Sequence, residues 1–113
     1  MQKYLFLYRT PTSNSPSAPP SPEEMQAMMA TWAAWKDQFK DQVTELGDGL
    51  KPGGRLLHAG VLTDGAFIES KEVIGGYSII TAGSYDEAVT VAKACPINHM
   101  PGARIEIREL AGL

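Results

Sequence analysis

Residues Lys3 to Arg9, K-Y-L-F-L-Y-R, limit the possible folds more than any other stretch. They are strand formers, and the run is short enough to be one strand. Alternation sends Tyr4, Phe6 and Tyr8 to one face, and Leu5 and Leu7 to the other. Both faces are apolar, so this strand needs cover on two sides. The fold must therefore supply a layer on each side, or a layer on one side and a partner on the other.

The run from Thr10 to Ser21 is almost wholly Pro, Ser, Thr and Asn and reads as a surface loop. Ser21-Pro22-Glu23-Glu24 then starts a helix: Ser21 caps, Pro22 takes the first position and Glu24 completes a capping box. Met25, Met28, Trp32, Trp35, Phe39, Val43 and Leu46 advance in steps of three and four. That spacing predicts one long helix, from Pro22 to Leu46, ended by Gly47. Met28, Met29, Trp32 and Trp35 read first as core and second as the lining of a ligand pocket, since Met and Trp adapt to flat organic molecules.

Residues 47–54 are turn-rich. Arg55 to Leu62 reads as a strand, with Gly60 as a bulge or bend. The next stretch, T-D-G-A-F-I-E-S-K-E-V-I-G-G-Y from Thr63 to Tyr77, concentrates glycine and charge. Asp64-Gly65 is a turn signal, and Gly75-Gly76 marks a bulge or a close backbone approach. Val73 to Ala82 reads as a third strand. Ser84 and Glu87 frame a second capping box, opening a helix with Ala88, Val91, Ala92 and Cys95 on its apolar stripe and Pro96 as its stop. After a loop over residues 97–102, Ala103 to Leu110 alternates cleanly, with Ile105 and Ile107 inward and Arg104, Glu106 and Arg108 outward.

The predicted order is strand, helix, strand, strand, helix, strand. This is the α+β, ferredoxin-like βαββαβ pattern, an antiparallel sheet with two helices on one face. It occupies residues 1–113 as a single domain, with a Pro/Ser-rich loop at 10–21. The other sheet face has no cover within the chain, so a homodimer packed sheet on sheet is expected. A net charge of −3 with scattered Lys and Arg argues against nucleic acid as a partner. One cysteine allows no internal disulfide and no thiolate metal cluster, and suits a reducing compartment. With no signal-peptide pattern and no apolar run near the ~20 residues of a membrane helix, the expected location is the cytoplasm, away from membranes.

Several residues are candidates for chemistry. Asp64 is either a general base or a turn residue bonded to its own backbone. Lys71 is placed to hold a substrate carboxylate while Glu69 or Glu72 moves a proton; the competing reading is a solvated charged loop. Arg9 and Arg108 either clamp an anion or pair with Glu106 or Glu109. His58 reads as a hydrogen-bonded core residue, and His99 is the better acid/base candidate. No spacing supports a metal site, and no phosphate loop, dinucleotide fingerprint or nucleophile elbow occurs, so no cofactor is expected.

End to end, the chain resembles the YCII-related, or DGPF-domain, proteins. The resemblance is carried by K-Y-L-F-L-Y-R, by S-P-E-E-M-Q-A-M-M-A-T-W-A-A-W, and above all by T-D-G-A-F-I-E-S-K-E-V-I-G-G-Y-S-I-I. S-Y-D-E-A-V-T-V-A-K-A-C-P and the closing I-E-I-R-E-L add to it. The naming tetrapeptide, Asp-Gly-Pro-Phe, reads Asp64-Gly65-Ala66-Phe67 here. The resemblance implies a dimeric α+β barrel. It also implies a His-Asp pair, with the histidine on the first helix; Asp64 matches the aspartate, and Pro22 to Leu46 contains no histidine. Relatives in the wider superfamily include enzymes acting on small aromatic-derived or chlorinated acids, and others are tied by label to transcription initiation. Two functions are thus carried forward. One is a cofactor-independent enzyme for a small organic acid, with Asp64 and His99 handling protons and Lys71, Glu69, Glu72, Arg108, Trp32 and Phe67 holding substrate. The other is a non-catalytic ligand-binding or regulatory dimer.

Overall fold

Local capping sets the start of both helices. In the computed structural model, which describes residues 1–11, 21–51, 53–63 and 72–113, strand β1 (Gln2–Pro11) precedes helix α1 (Pro22–Gln38). Ser21 Oγ accepts the Glu24 backbone N–H at 3.1 Å, proline occupies the first turn, and Glu23 and Glu24 oppose the positive end of the helix dipole. Strands β2 (Val43–Gly49), β3 (Leu56–His58), β4 (Val61–Thr63) and β5 (Glu72–Ala82) follow, then helix α2 (Tyr85–Lys93) and strand β6 (Arg104–Glu109). At α2, Ser84 Oγ accepts the Glu87 N–H at 3.2 Å, and Glu87 Oε2 turns back to the Gly83 N–H at 2.8 Å. A short 3-10 turn, Pro96–His99, comes after α2. There the Asn98 amide donates to the carbonyls of Ala92, Lys93 and Cys95, satisfying the last turn of the helix.

The main sheet is antiparallel, in the order β2-β5-β1-β6. This α+β arrangement of two helices on an antiparallel sheet is consistent with a ferredoxin-like fold. Both helices lie on the face that carries Tyr4, Phe6 and Tyr8 of β1 with Ser78, Ile80 and Ala82 of β5, and they bury Trp35, Ala88 and Val91 against it. Principal extents of 41 × 39 × 19 Å fit one sheet and one helical layer. Leu5, Leu7 and Ile79 alternate onto the opposite face, where they are only partly buried. That face also carries ion pairs, Arg9 to Glu106 at 2.6 Å, Arg108 to Glu106 at 3.1 Å, and Arg104 to Glu72 at 2.6 Å.

Three sequence expectations are corrected. The first helix ends at Gln38, with Phe39 already off the helical conformation, and does not reach Leu46. Val43 and Leu46, which extended the helical spacing, belong to strand β2 instead, and Val43 is buried opposite Ile80. The β-branched pair Val43-Thr44 favours a strand there, the nearby Gly47 and Gly49 disfavour a helix, and pairing with β5 supplies the hydrogen bonds. Arg55 to Leu62 is not a strand of the main sheet. It contributes the hairpin β3–β4, which turns at Ala59 and Gly60, both with positive φ (50° and 80°). His58 sits on that hairpin and is exposed rather than in the core.

Candidate functional site

The residues of β5 that face the helices shrink along the strand, from Ile80 through Ser78 to Gly76. A helix packed above a sheet needs side chains from both layers to fill the gap between them. Where β5 offers Gly76, and β2 beside it offers Gly47 and Gly49, the gap stays open. A cleft of about 520 Å³ results, lined by Tyr8, Met25, Met28, Met29, Trp32, Leu46, Gly47, Asp48, Gly49, Gly75, Gly76, Tyr77 and Ile97. Its helical wall is one face of α1, because positions 25, 28, 29 and 32 follow the helical period. With no opposing side chains to pack against, Met25, Met28 and Met29 stay 51, 53 and 69% exposed. Trp32 closes the inner end, edge-on to Tyr8 at 5.4 Å and to Trp35 at 5.7 Å between ring centroids.

The glycines of the floor have distinct backbone reasons. Leu46 and Gly47 together oppose Ser78, which makes a bulge in β2, and Gly47 adopts φ +78° there. A Cβ on Gly76 would lie 3.0 Å from the Asp48 carbonyl oxygen and 3.3 Å from the Tyr8 ring, so the two strands approach closely because it has none. Gly75 is skipped in the pairing of β5 with β1, between Tyr8 and Arg9, so the expected irregularity at this glycine pair is present.

Beneath the cleft runs a buried polar chain. The Cys95 thiol donates to Tyr8 Oη at 3.7 Å, Tyr8 Oη donates to Ser78 Oγ at 2.7 Å, and Ser78 Oγ donates to the Leu46 carbonyl at 2.5 Å. The bulge is what turns that carbonyl inward. Burial pushes the Tyr8 phenol far above its ordinary range and raises the Cys95 thiol as well, so both stay protonated and act as donors. These groups fix the floor and are engaged with one another. Asp48 and Tyr77 also border the cleft, but they pair with each other across β2 and β5, and Tyr77 pairs with Leu7 in turn, so their side chains belong to the face away from the helices. Asp48 Oδ1 accepts the Gly49 N–H at 2.7 Å, and the residue is exposed.

The residues singled out from sequence do not gather here. Trp32 lines the cleft. Glu72 takes a bidentate hold from Arg104, which keeps its carboxyl below the usual range. Arg108 pairs with Glu106 on the sheet face away from the helices, together with Arg9, and that pairing lowers the Glu106 carboxyl in turn. His99 ends the 3-10 turn and is exposed, while Ile97 of the same turn reaches the cleft. Asp64, Phe67, Glu69 and Lys71 lie outside the described residues. Among the described residues, no group of three His, Cys, Asp or Glu side chains is placed to hold a metal ion, and no helix is long and apolar enough to cross a membrane. Gly47 and Gly49 of the cleft floor read from sequence only as part of a turn-rich run.

The model of the YCII-related domain matches residues 1–111 of the 113-residue chain. No curated protein matches the chain.

Proposed function

The chain belongs to the YCII-related family, and on that footing we propose that it binds a small, flat, mostly apolar molecule in the cleft beneath α1. The observation that carries this reading is the pairing of a glycine floor with a wall of three half-exposed methionines and a tryptophan. Thioether and indole groups left facing an open gap gain contacts when a planar molecule fills it. Binding is favoured over turnover because the hydroxyl and thiol beneath the cleft are committed to one another and held protonated. Methyl-labelled methionine gives a direct test, since the chain has five methionines and three line the cleft. A neutral two-ring aromatic fragment is expected to shift the signals of Met25, Met28 and Met29 and leave Met1 and Met100 in place. A Kd on the order of 1 mM is expected for a fragment of that size. Shifts confined to Met1 and Met100, or none at all, defeat the reading.

The working unit in this proposal is a homodimer joined through the sheet face that neither helix covers. Leu5, Leu7 and Ile79 form its apolar part, and the Arg9, Arg108 and Glu106 group borders it. Leu7→Lys tests this without disturbing the fold, because Leu7 lies opposite Glu106 in the β1–β6 register and a lysine gains a carboxylate there. Light scattering at micromolar concentration is expected to give twice the chain mass for the parent protein and one chain mass for Leu7→Lys. A parent monomer rules the dimer out, and a variant that stays dimeric places the interface elsewhere.

A further inference from the structure

We propose that the β3–β4 hairpin is an arm that docks on helix α1 of a second copy of this chain. Its strands leave Leu56, Leu57, Val61 and Leu62 exposed at 43, 66, 63 and 61%. The register sets Leu57 against Leu62 on one side of the hairpin and places Leu56 and Val61 on the other, with His58. Both sides are therefore apolar, and neither is covered by the main sheet or by a helix. A two-stranded hairpin is marginally stable by itself in water, and bare leucine and valine clustered on one mark a contact surface.

Position, chemistry and charge choose the occupant. The arm leaves the sheet where the β2–β5 pairing ends, at Gly49 and Gly76. Those glycines line the cleft together with Met25, Met28 and Met29 of α1. Arm and methionine wall thus share one end of the molecule, so a two-fold axis beyond that end brings each arm to the other copy's helix and makes the contact reciprocal. The half-exposed thioethers adapt readily to aliphatic side chains such as those of the arm. Residues 50–63 carry Lys51 and Arg55 and no acid, whereas residues 21–35 carry Glu23 and Glu24 and no base, so the two surfaces complement each other in charge. Both halves of a contact are present in one chain, yet the arm does not cover its own helix, because Leu57, Leu62 and the three methionines all stay bare. Another copy supplies the missing half. This goes beyond the binding reading above, since it uses the same methionines at the mouth of the cleft but needs no bound molecule.

A spin label on the arm reads the contact between copies. His58→Cys offers an exposed thiol for it, and the native Cys95, at 1% exposure, stays unmodified. Spin-labelled chain is mixed in equal amounts with methionine-methyl-labelled parent chain at about 0.5 mM, where a contact with a Kd on the order of 0.1 mM is mostly formed. The Met25, Met28 and Met29 signals are expected to broaden, and Met1, beside the opposite end of β1, to stay sharp. Leu57→Ser with Leu62→Ser in the spin-labelled chain is expected to abolish the broadening, and Lys51→Glu with Arg55→Glu to weaken the contact about fivefold or more. No broadening in the mixture overturns the proposal. So does broadening seen only when spin label and methyl group share a chain, which makes the arm a cover for its own helix, and so does broadening that both arm variants leave unchanged. Fragment-induced methionine shifts in a protein that shows no broadening between copies uphold the cleft as a binding site while the docking arm fails.

Discussion

Gly47→Ala is expected to destabilise the chain by about 3 kcal/mol or more, a large share of the ~5–15 kcal/mol that holds a domain folded. Two effects add at this position. The backbone has φ +78°, where an L side chain is strained by about 1 kcal/mol or more. A Cβ there would also fall 1.8 Å from the Tyr77 carbonyl oxygen and 2.7 Å from its carbon. Those atoms belong to the backbone of β5, paired on both sides, and have nowhere to retreat. Gly60→Ala separates the two effects, because Gly60 has φ +80° and nothing within 4 Å of its would-be Cβ. Urea unfolding is expected to show a loss of about 1 kcal/mol for Gly60→Ala and at least twice to three times that for Gly47→Ala. Equal losses would mean that the β2 bulge opens freely, and with it the inward turn of the Leu46 carbonyl toward Ser78.

That bulge also marks where sequence reading reached its limit. The helix starts at Ser21 and Ser84, the strands β1, β5 and β6, and the buried stripe of α2 all follow from signals within a few residues, and the structure contains each of them. The second strand of the sheet was hidden because Phe39, Val43 and Leu46 are spaced as well for a helix as for what they form. The deciding interaction, pairing of Val43 with Ile80, joins residues far apart in the chain. The run from Arg55 to Leu62 has the composition of a sheet strand, but its Ala59-Gly60 turn folds it back on itself as a hairpin. The candidate site was harder still. A cleft made by missing side chains appears only when register sets Gly76 against Gly49 and beneath α1, and no local pattern announces that. Trp32 and the methionines were visible as a possible lining because their helical spacing is local. Gly47 and Gly49, which form a floor only beside Gly76 of the neighbouring strand, were not.

Trp35→Ala is expected to be the most damaging side-chain truncation, at about 3–5 kcal/mol. Trp35 is only 2% exposed and is the residue through which α1 is fastened to α2. Its Nε1 donates to the Val91 carbonyl at 3.0 Å, and its ring meets Trp32 edge-on. Most of the loss should come from the cavity and not from the hydrogen bond, since the Val91 carbonyl keeps the Ala94 N–H at 3.3 Å. Trp35→Phe, which keeps most of the ring volume, is therefore expected to lose about 1–2 kcal/mol in the same urea titration. The pair also tests how the core supports the cleft. Trp32 holds its place between Tyr8 and Trp35, so emptying position 35 removes one of the two rings that orient the inner wall. In Trp35→Ala that still folds, the methionine methyl shifts on adding an aromatic fragment should shrink even at concentrations that saturate the parent protein, whereas Trp35→Phe should retain them. If the two variants lose equal stability, the hydrogen bond to α2 outweighs packing. If Trp35→Ala binds as the parent does, the cleft is shaped by α1 and the glycine floor alone, without help from the aromatic stack behind it.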